Sequence, residues 1–179
     1  MSTSSPSREK EAAMSANESR KYLTFTLADE IFAFEISSVR EIQDVADITR
    51  IPHSPAYMRG VVNLRGAAIP VMDLREKFGL GRTEHTINTR IVIVVIDNED
   101  GESIIGALAD SVREVLELEN DQIDAPPKMG ASIHTGFLKG VARQDNEFIL
   151  VLDSARVFSS GEVEEAVDEA AVAHEAVAA

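Results

Sequence analysis

YMRGV at residues 57–61 (Tyr57, Met58, Arg59, Gly60, Val61) returns as FLKGV at residues 137–141 (Phe137, Leu138, Lys139, Gly140, Val141), with aromatic, long apolar, cationic, glycine and valine positions in one order. The match stays in register downstream, where Ile69, Val71, Asp73 and Phe78 stand 80 residues before Ile149, Val151, Asp153 and Phe158. Upstream, Ser38-Val39-Arg40-Glu41 recurs as Ser111-Val112-Arg113-Glu114. Pro52 follows the first tetrad much as Pro126 follows the second, whose loop runs longer, over residues 127–136. So many aligned matches mark one supersecondary unit present twice, and hence a pseudo-twofold architecture.

Each copy reads as β. Residues 22–27 (YLTFTL) alternate with a period of two, Asp29 and Glu30 supply a turn, and residues 31–36 (IFAFEI) return as the second arm of a hairpin. The second copy opens alike, with residues 91–96 as a fully buried strand, 98–101 as the turn and 103–108 as the return strand. Further hairpins flank Arg65-Gly66 and Asp145-Asn146. Asp73 stands where it caps a short helix, Glu76 follows at the capping-box position, and Gly79 ends the helix. About five short strands and a helical turn per copy suit a small closed barrel, which leaves no strand edge exposed. The boundaries read as a polar arm over residues 1–20, a first barrel over 21–85, a second over 86–160 and an acidic tail over 161–179.

Charge narrows the function. The formal net charge is -14, which opposes binding to nucleic acid and to anionic lipid. Residues 161–179 hold six acids (Glu162, Glu164, Glu165, Asp168, Glu169, Glu175) and no Lys or Arg, so they read as a flexible solubilising tail. The two halves differ: residues 21–85 carry eight cations against nine acids, and residues 86–160 six against thirteen. Pseudo-symmetric faces of unequal charge suit an adaptor with different protein partners. There is no Cys, the N-terminus lacks a signal-peptide pattern, and the longest apolar run is too short to cross a bilayer, which points to the cytoplasm.

Catalytic constellations are scarce. His53, His85, His134 and His174 show no metal-ligand spacing, and no phosphate loop, nucleophile elbow or dinucleotide fingerprint occurs. Asp73 and Asp153 resemble a carboxylate pair, but their places before helices make capping the better role. Arg50, Arg59 and Arg65 raise a remote alternative, an RNA-binding barrel, against which stand the net charge and the lack of clustered aromatics. The copies diverge most at VVNLRGAA (61–68) against VARQDNEF (141–148). Folding needs no Arg-Gly turn, so Arg65 is either a contact, a strut between two elements or an exposed hairpin tip.

The series Val39-Arg40-Glu41-Ile42, Gly60-Val61, Asn63-Leu64-Arg65-Gly66 and Pro70-Val71-Met72-Asp73-Leu74-Arg75 resembles the CheW family of bacterial chemotaxis coupling proteins, over essentially residues 21–160. The resemblance implies an all-β fold of two pseudo-symmetric SH3-like five-stranded β-barrels with short helical turns, no catalytic activity, no cofactor and no metal. It also implies a cytoplasmic scaffold recruited to membrane-associated receptor arrays, joining the tips of methyl-accepting chemoreceptors to the regulatory domain of the histidine kinase CheA. A CheW-like domain of another coupling protein, such as CheV, is the alternative; after Ser160 there is no room for that protein's phosphoacceptor domain.

Matched residue by residue, Val39, Glu41 and Ile42 fall at the family's inter-barrel groove, where a receptor helical hairpin docks through apolar contacts, and Val112 and Val115 form the facing wall. Arg65 matches the family Arg that pairs with the Glu matched by Glu41. Gly60 permits close backbone packing. The kinase-facing surface is assigned to Gly60, Asn63, Leu64, Arg65, Gly66, Ala67 and Ala68, and a weaker ring contact to Gly140, Asp145 and Asn146. A Val39→Asp variant is expected to weaken receptor binding while keeping its fold.

Overall fold

The computed structural model describes residues 18–45, 47–99, 101–126 and 135–158. The acidic tail, nearly all of the N-terminal arm and most of the 127–136 loop lie outside the described residues. The elements run β1 (Ser19–Leu27), β2 (Glu30–Glu35), β3 (Val39–Asp44), β4 (Met58–Leu64), β5 (Ala67–Asp73), α1 (Leu74–Lys77), β6 (Arg90–Asn98), β7 (Gly101–Ala109), β8 (Ser111–Glu119), β9 (Ile123–Asp124), β10 (Leu138–Gln144), β11 (Glu147–Leu152) and α2 (Ser154–Phe158). They form a six-stranded sheet, β8-β1-β2-β11-β10-β9, and a five-stranded one, β3-β6-β7-β5-β4. The fold is all-β, with the two SH3-like units related by the repeat.

The halves 21–85 and 86–160 are units of sequence, but each sheet is assembled from both. The hairpin β1–β2 lies among strands of the second half, antiparallel to β8 and parallel to β11, with Ile31 opposite Ile149 and Ala33 opposite Val151. The hairpin β6–β7 lies among strands of the first half, antiparallel to β3 and parallel to β5. The chain changes sheets through the 3-10 turn Ile36–Ser38 and again at Asp110, each time immediately before or within the repeated SVRE tetrad. That tetrad begins the outer strand beside each exchanged hairpin. It also holds an irregularity: the β3–β6 register shifts between Val39 and Glu41, and the β1–β8 register shifts across Arg113 and Glu114.

The exchange follows from apolar residues on both faces of the exchanged strands. Tyr22, Ile31 and Ala33 pack with Leu118, Ala142, Ile149 and Val151 in one cluster. Ile91 and Ile93 pack with Val62, Ile69, Val71 and Leu108 in another. The alternate residues Leu23, Phe25, Leu27, Phe32 and Phe34 meet Val92, Val94, Ile96 and Ile105 in a third and larger cluster, shared by the two sheets. A strand covered on both faces reads as an unbroken apolar run, and residues 91–94 are such a run. Phe25 stacks on Phe34 at 5.2 Å, Phe34 meets Phe158 at 5.9 Å, and Phe32, Phe78 and Phe137 continue the aromatic row at 5.8 and 5.6 Å.

The YMRGV and FLKGV segments do the same structural work in the two copies. Arg59 and Lys139 occupy matching register shifts in the pairs β4–β5 and β10–β11. The carbonyls of Tyr57 and Phe137 accept the N–H of Asp73 (2.6 Å) and Asp153 (2.9 Å). Gly60 and Gly140 leave room for another strand to cross: a Cβ on Gly60 would stand 2.0 Å from the Thr49 carbonyl oxygen, and one on Gly140 2.6 Å from that of Asp124. Those crossings are the bridge Thr49 to Val61 and the pairing of β9 with β10.

Turns follow the sequence with one shift. The first hairpin turns at Ala28-Asp29 (φ 49° and 68°), so Glu30 opens β2 opposite Leu27. Two-residue hairpin loops of type I′ have positive φ at both positions, which matches strand twist, and the same holds at Arg65-Gly66 and Asp145-Asn146. The Asp73 carboxylate accepts the Glu76 N–H at 3.3 Å and caps α1, and Gly79 follows at φ 75°. Asp110 accepts the Ala28 N–H at 2.8 Å and the Arg75 guanidinium at 3.1 Å, fastening the exchanged turn to α1.

Gly60→Ala meets backbone atoms at a positive φ of 139°, so its cost in a denaturant titration is expected to be about 3 kcal/mol. Gly140→Ala, which partly meets the movable Ile123 side chain, should cost less, about 1–2 kcal/mol. Equal costs would contradict this account of the crossings. Because each sheet needs strands from both halves, a fragment of residues 21–85 alone should show no protected amides in hydrogen exchange, and mixing it with residues 86–160 should restore them.

Candidate functional site

Glu41 lies on the outer strand β3 and Arg65 at the tip of the β4–β5 hairpin. Arg65 Nη1 donates to Glu41 Oε2 at 2.8 Å and Nη2 donates to Oε1 at 3.2 Å. This forked pair makes Arg65 a strut between two elements, although its side chain is 73% exposed while that of Glu41 is 20% exposed. The Gln43 amide also donates to Glu41. The Arg65 hydrogen bonds, then the Gln43 bond, hold the Glu41 carboxyl below its ordinary value of 4.5, and Glu41 raises the guanidinium in turn. Asn63 closes the turn by accepting the Gly66 N–H on its side-chain oxygen at 2.8 Å. Leu64 packs against the core of the five-stranded sheet, while Gly66 and Ala67 are exposed and Ala68 is partly covered.

The apolar candidates separate into two kinds. Val39 and Val112 are partly buried and pack against the shared core. Ile42 and Val115, their neighbours on the outer strands, are 42% and 49% exposed. The two strands occupy equivalent places, since Ile42 pairs with Val92 and Val115 with Leu23, and both partners belong to the shared core. An Asp at position 39 would stand against that core, so retention of the fold by Val39→Asp no longer follows. Ile42 is the cleaner position to probe a surface contact.

In the six-stranded sheet, Gly140 is buried at its strand crossing, while Asp145 and Asn146 are exposed at the hairpin tip. Sequence reading missed Phe148 beside them, 64% exposed with the Arg143 guanidinium 5.9 Å from its ring. Its counterpart in the first copy is Ala68, and that replacement of a small residue by an aromatic one was visible in the aligned repeats. Arg75 and Asp110 were missed as a pair because nothing in their spacing brings them together.

The other candidates resolve differently. Asp73 is fully buried and accepts from the backbone N–H and hydroxyl of Thr83 at 2.9 and 2.7 Å, beyond its capping bond. Arg50, Arg59 and Arg65 do not act as one patch: Arg65 is committed to Glu41, and Arg59 donates to the Thr83 carbonyl at 2.8 Å. Among the described residues, no three His, Asp or Glu side chains group to hold a metal ion, and no helix is long and apolar enough to cross a membrane.

Two SH3-like sheets sharing a core, with apolar residues exposed on matching outer strands and a braced hairpin beside one of them, define a double-barrel all-β protein. The CheW-like domain family matches residues 21–162, and the chain belongs to this family. It is 32% identical over 147 residues to the probable chemotaxis protein CheW of Rhizobium etli, covering 82% of this chain and 92% of that one. It is 31% identical to the chemotaxis protein CheW of Klebsiella aerogenes, covering 87% and 90%. The crystal structure of the scaffolding protein TtCheW from Thermoanaerobacter tengcongensis superposes with a TM-score of 0.71 at 33% identity, over 80% of this chain and 90% of that one.

If Arg65 acts through Glu41, losses of stability in Arg65→Ala and Glu41→Ala should be nonadditive, the double variant losing no more than the worse single one; additive losses would remove the strut. The pair also sets a pH dependence. Because the folded carboxyl is held below its ordinary value, its stabilising contribution is complete above that value and is lost as pH falls through the depressed one. The stability difference between the protein and Glu41→Gln should therefore be level near neutrality and shrink in acid below about pH 4.5.

Proposed function

We propose that this CheW-family chain is a non-catalytic cytoplasmic scaffold that couples methyl-accepting chemoreceptors to the regulatory domain of the histidine kinase CheA within membrane-associated arrays. The observation that carries the reading is the pair of exposed apolar residues Ile42 and Val115 at equivalent places on the two outer strands. They extend the shared core to the surface and offer an apolar ledge of the kind an amphipathic helical hairpin covers. Val39, Glu41 and Val112 support that ledge from beneath and beside it. The kinase regulatory domain docks at the first hairpin, through Asn63, Leu64, Gly66, Ala67 and Ala68, held in place by Arg65. The second hairpin, with Asp145 and Asn146 at its tip, makes the weaker contact that closes a ring.

The similarity of the chain to proteins named for chemotaxis and for scaffolding supports this assignment over a CheV-like or nucleic-acid-binding alternative. Calorimetric titration of the protein with the receptor cytoplasmic hairpin and, separately, with the CheA regulatory domain provides the test. Ile42→Asp and Val115→Asp should each weaken receptor binding by about tenfold or more while leaving kinase binding unchanged. Ala68→Glu should do the reverse. Failure of the unaltered protein to bind either partner would overturn the coupling role, and wild-type receptor affinity in both Asp variants would overturn the ledge.

A further inference from the structure

A cavity of about 330 Å³ opens between the segment leading into β4 and the stretch joining the two halves of the repeat. Its wall includes Arg50, Arg59, Arg82 and His85, with Asp47 as the one carboxylate. Three guanidiniums around one cavity are notable in a chain whose net charge is -14. Among the described residues neither Arg50 nor Arg82 enters an ion pair, and both are exposed.

Arg59 is incompletely satisfied. Its Nη2 donates to the Thr83 carbonyl at 2.8 Å and its Nε stands 3.7 Å from Asp73 Oδ2, but its buried Nη1 has no acceptor. Asp73 is a weak counter-ion for it, because that carboxylate already accepts two hydrogen bonds from Thr83 and one from the Glu76 N–H. A buried guanidinium nitrogen without a partner is costly and calls for an acceptor nearby. Arg50 and Arg59 also line a second cavity of about 370 Å³, formed by residues 50–56 with Met58 and Arg59, so both stand at the junction of two openings.

We propose that the cavity is a site for a small phosphoryl-bearing anion. The three guanidiniums outnumber the carboxylates beside them, Asp47 in the wall and Asp73 next to Arg59, so the lining carries an excess of positive charge that suits a phosphoryl anion. Planar guanidinium forks suit its oxygens, and the volume accommodates a group far larger than a halide. Free phosphate and the phosphates of a nucleotide share this chemistry. The site lies apart from Ile42, Val115 and the β4–β5 turn, so it does not depend on the proposed coupling role.

The test titrates the full chain with inorganic phosphate and with ATP at constant ionic strength, following backbone amide shifts by NMR, and repeats both titrations on Arg50→Gln and Arg82→Gln. Arg113→Gln, on β8 away from the cavity, is the control. Saturable shifts at residues 47–50 and 82–85, weakened about tenfold in each cavity variant and unchanged in the control, are expected. Tighter binding of ATP than of phosphate assigns a nucleotide source, and equal affinity assigns the free ion. No saturable shifts with either anion, or equal affinity in the cavity variants and the control, would overturn the site. Arg50 and Arg82 are exposed and, among the described residues, make no ion pair, so these variants keep the fold; unshifted spectra elsewhere check it directly.

Discussion

The structure depends on covering both faces of four strands. β1, β2, β6 and β7 each carry apolar side chains on two sides, one side turned to the core of a sheet and the other to the core between the sheets. A hairpin of that composition cannot sit at the rim of its own half of the chain without leaving one face in water. Exchange solves the problem twice by the same route: each hairpin is clamped between an antiparallel and a parallel neighbour from the opposite half, and its outer face meets its symmetry mate. The two sheets are therefore joined by their most apolar elements, with the aromatic row from Phe25 to Phe137 running through the junction.

From that constraint the surface follows. The strands that flank the exchanged hairpins, β3 and β8, begin where the chain leaves one sheet for the other, and along them residues paired with the shared core pass from partly buried to exposed. Val39 and Val112 belong to the first kind, Ile42 and Val115 to the second. Apolar exposure at the outer strands is thus continuous with the deepest packing in the molecule. The copies differ in what surrounds it: the first has a braced turn of small residues at Arg65 to Ala68, and the second presents Phe148 with Arg143. Pseudo-symmetry provides two similar frames, and divergence at the hairpins makes them chemically unlike.

Much of this was legible in the residues. The 80-residue echo, the hairpins around Arg65-Gly66 and Asp145-Asn146, the buried run at residues 91–94 and the cap at Asp73 all rest on local pattern, and local pattern determines strands and turns. The partner of a strand is another matter. A two-faced apolar strand states that it is buried on both sides but not by which strands, so the exchange of hairpins stayed hidden, as did the salt bridge of Arg75 with Asp110. The turn at Ala28-Asp29 was misplaced by one residue because Asp29-Glu30 looks the more polar pair, whereas register with the buried Leu27 decides it. Among the site residues, Glu41 and Arg65 are joined by contact, while Val39 differs from Ile42 in burial, a distinction that alternate spacing blurred across the register shift.

Exchange also orders events in time. When β1 and β2 emerge during synthesis, their parallel partner β11 is more than a hundred residues away, as the pairing of Ile31 with Ile149 records. At ribosomal rates, on the order of ten residues per second, the first hairpin waits roughly ten seconds with two apolar faces uncovered. The six-stranded sheet is therefore completed only after β11 has been made, with β1 and β2 the longest-waiting of its strands.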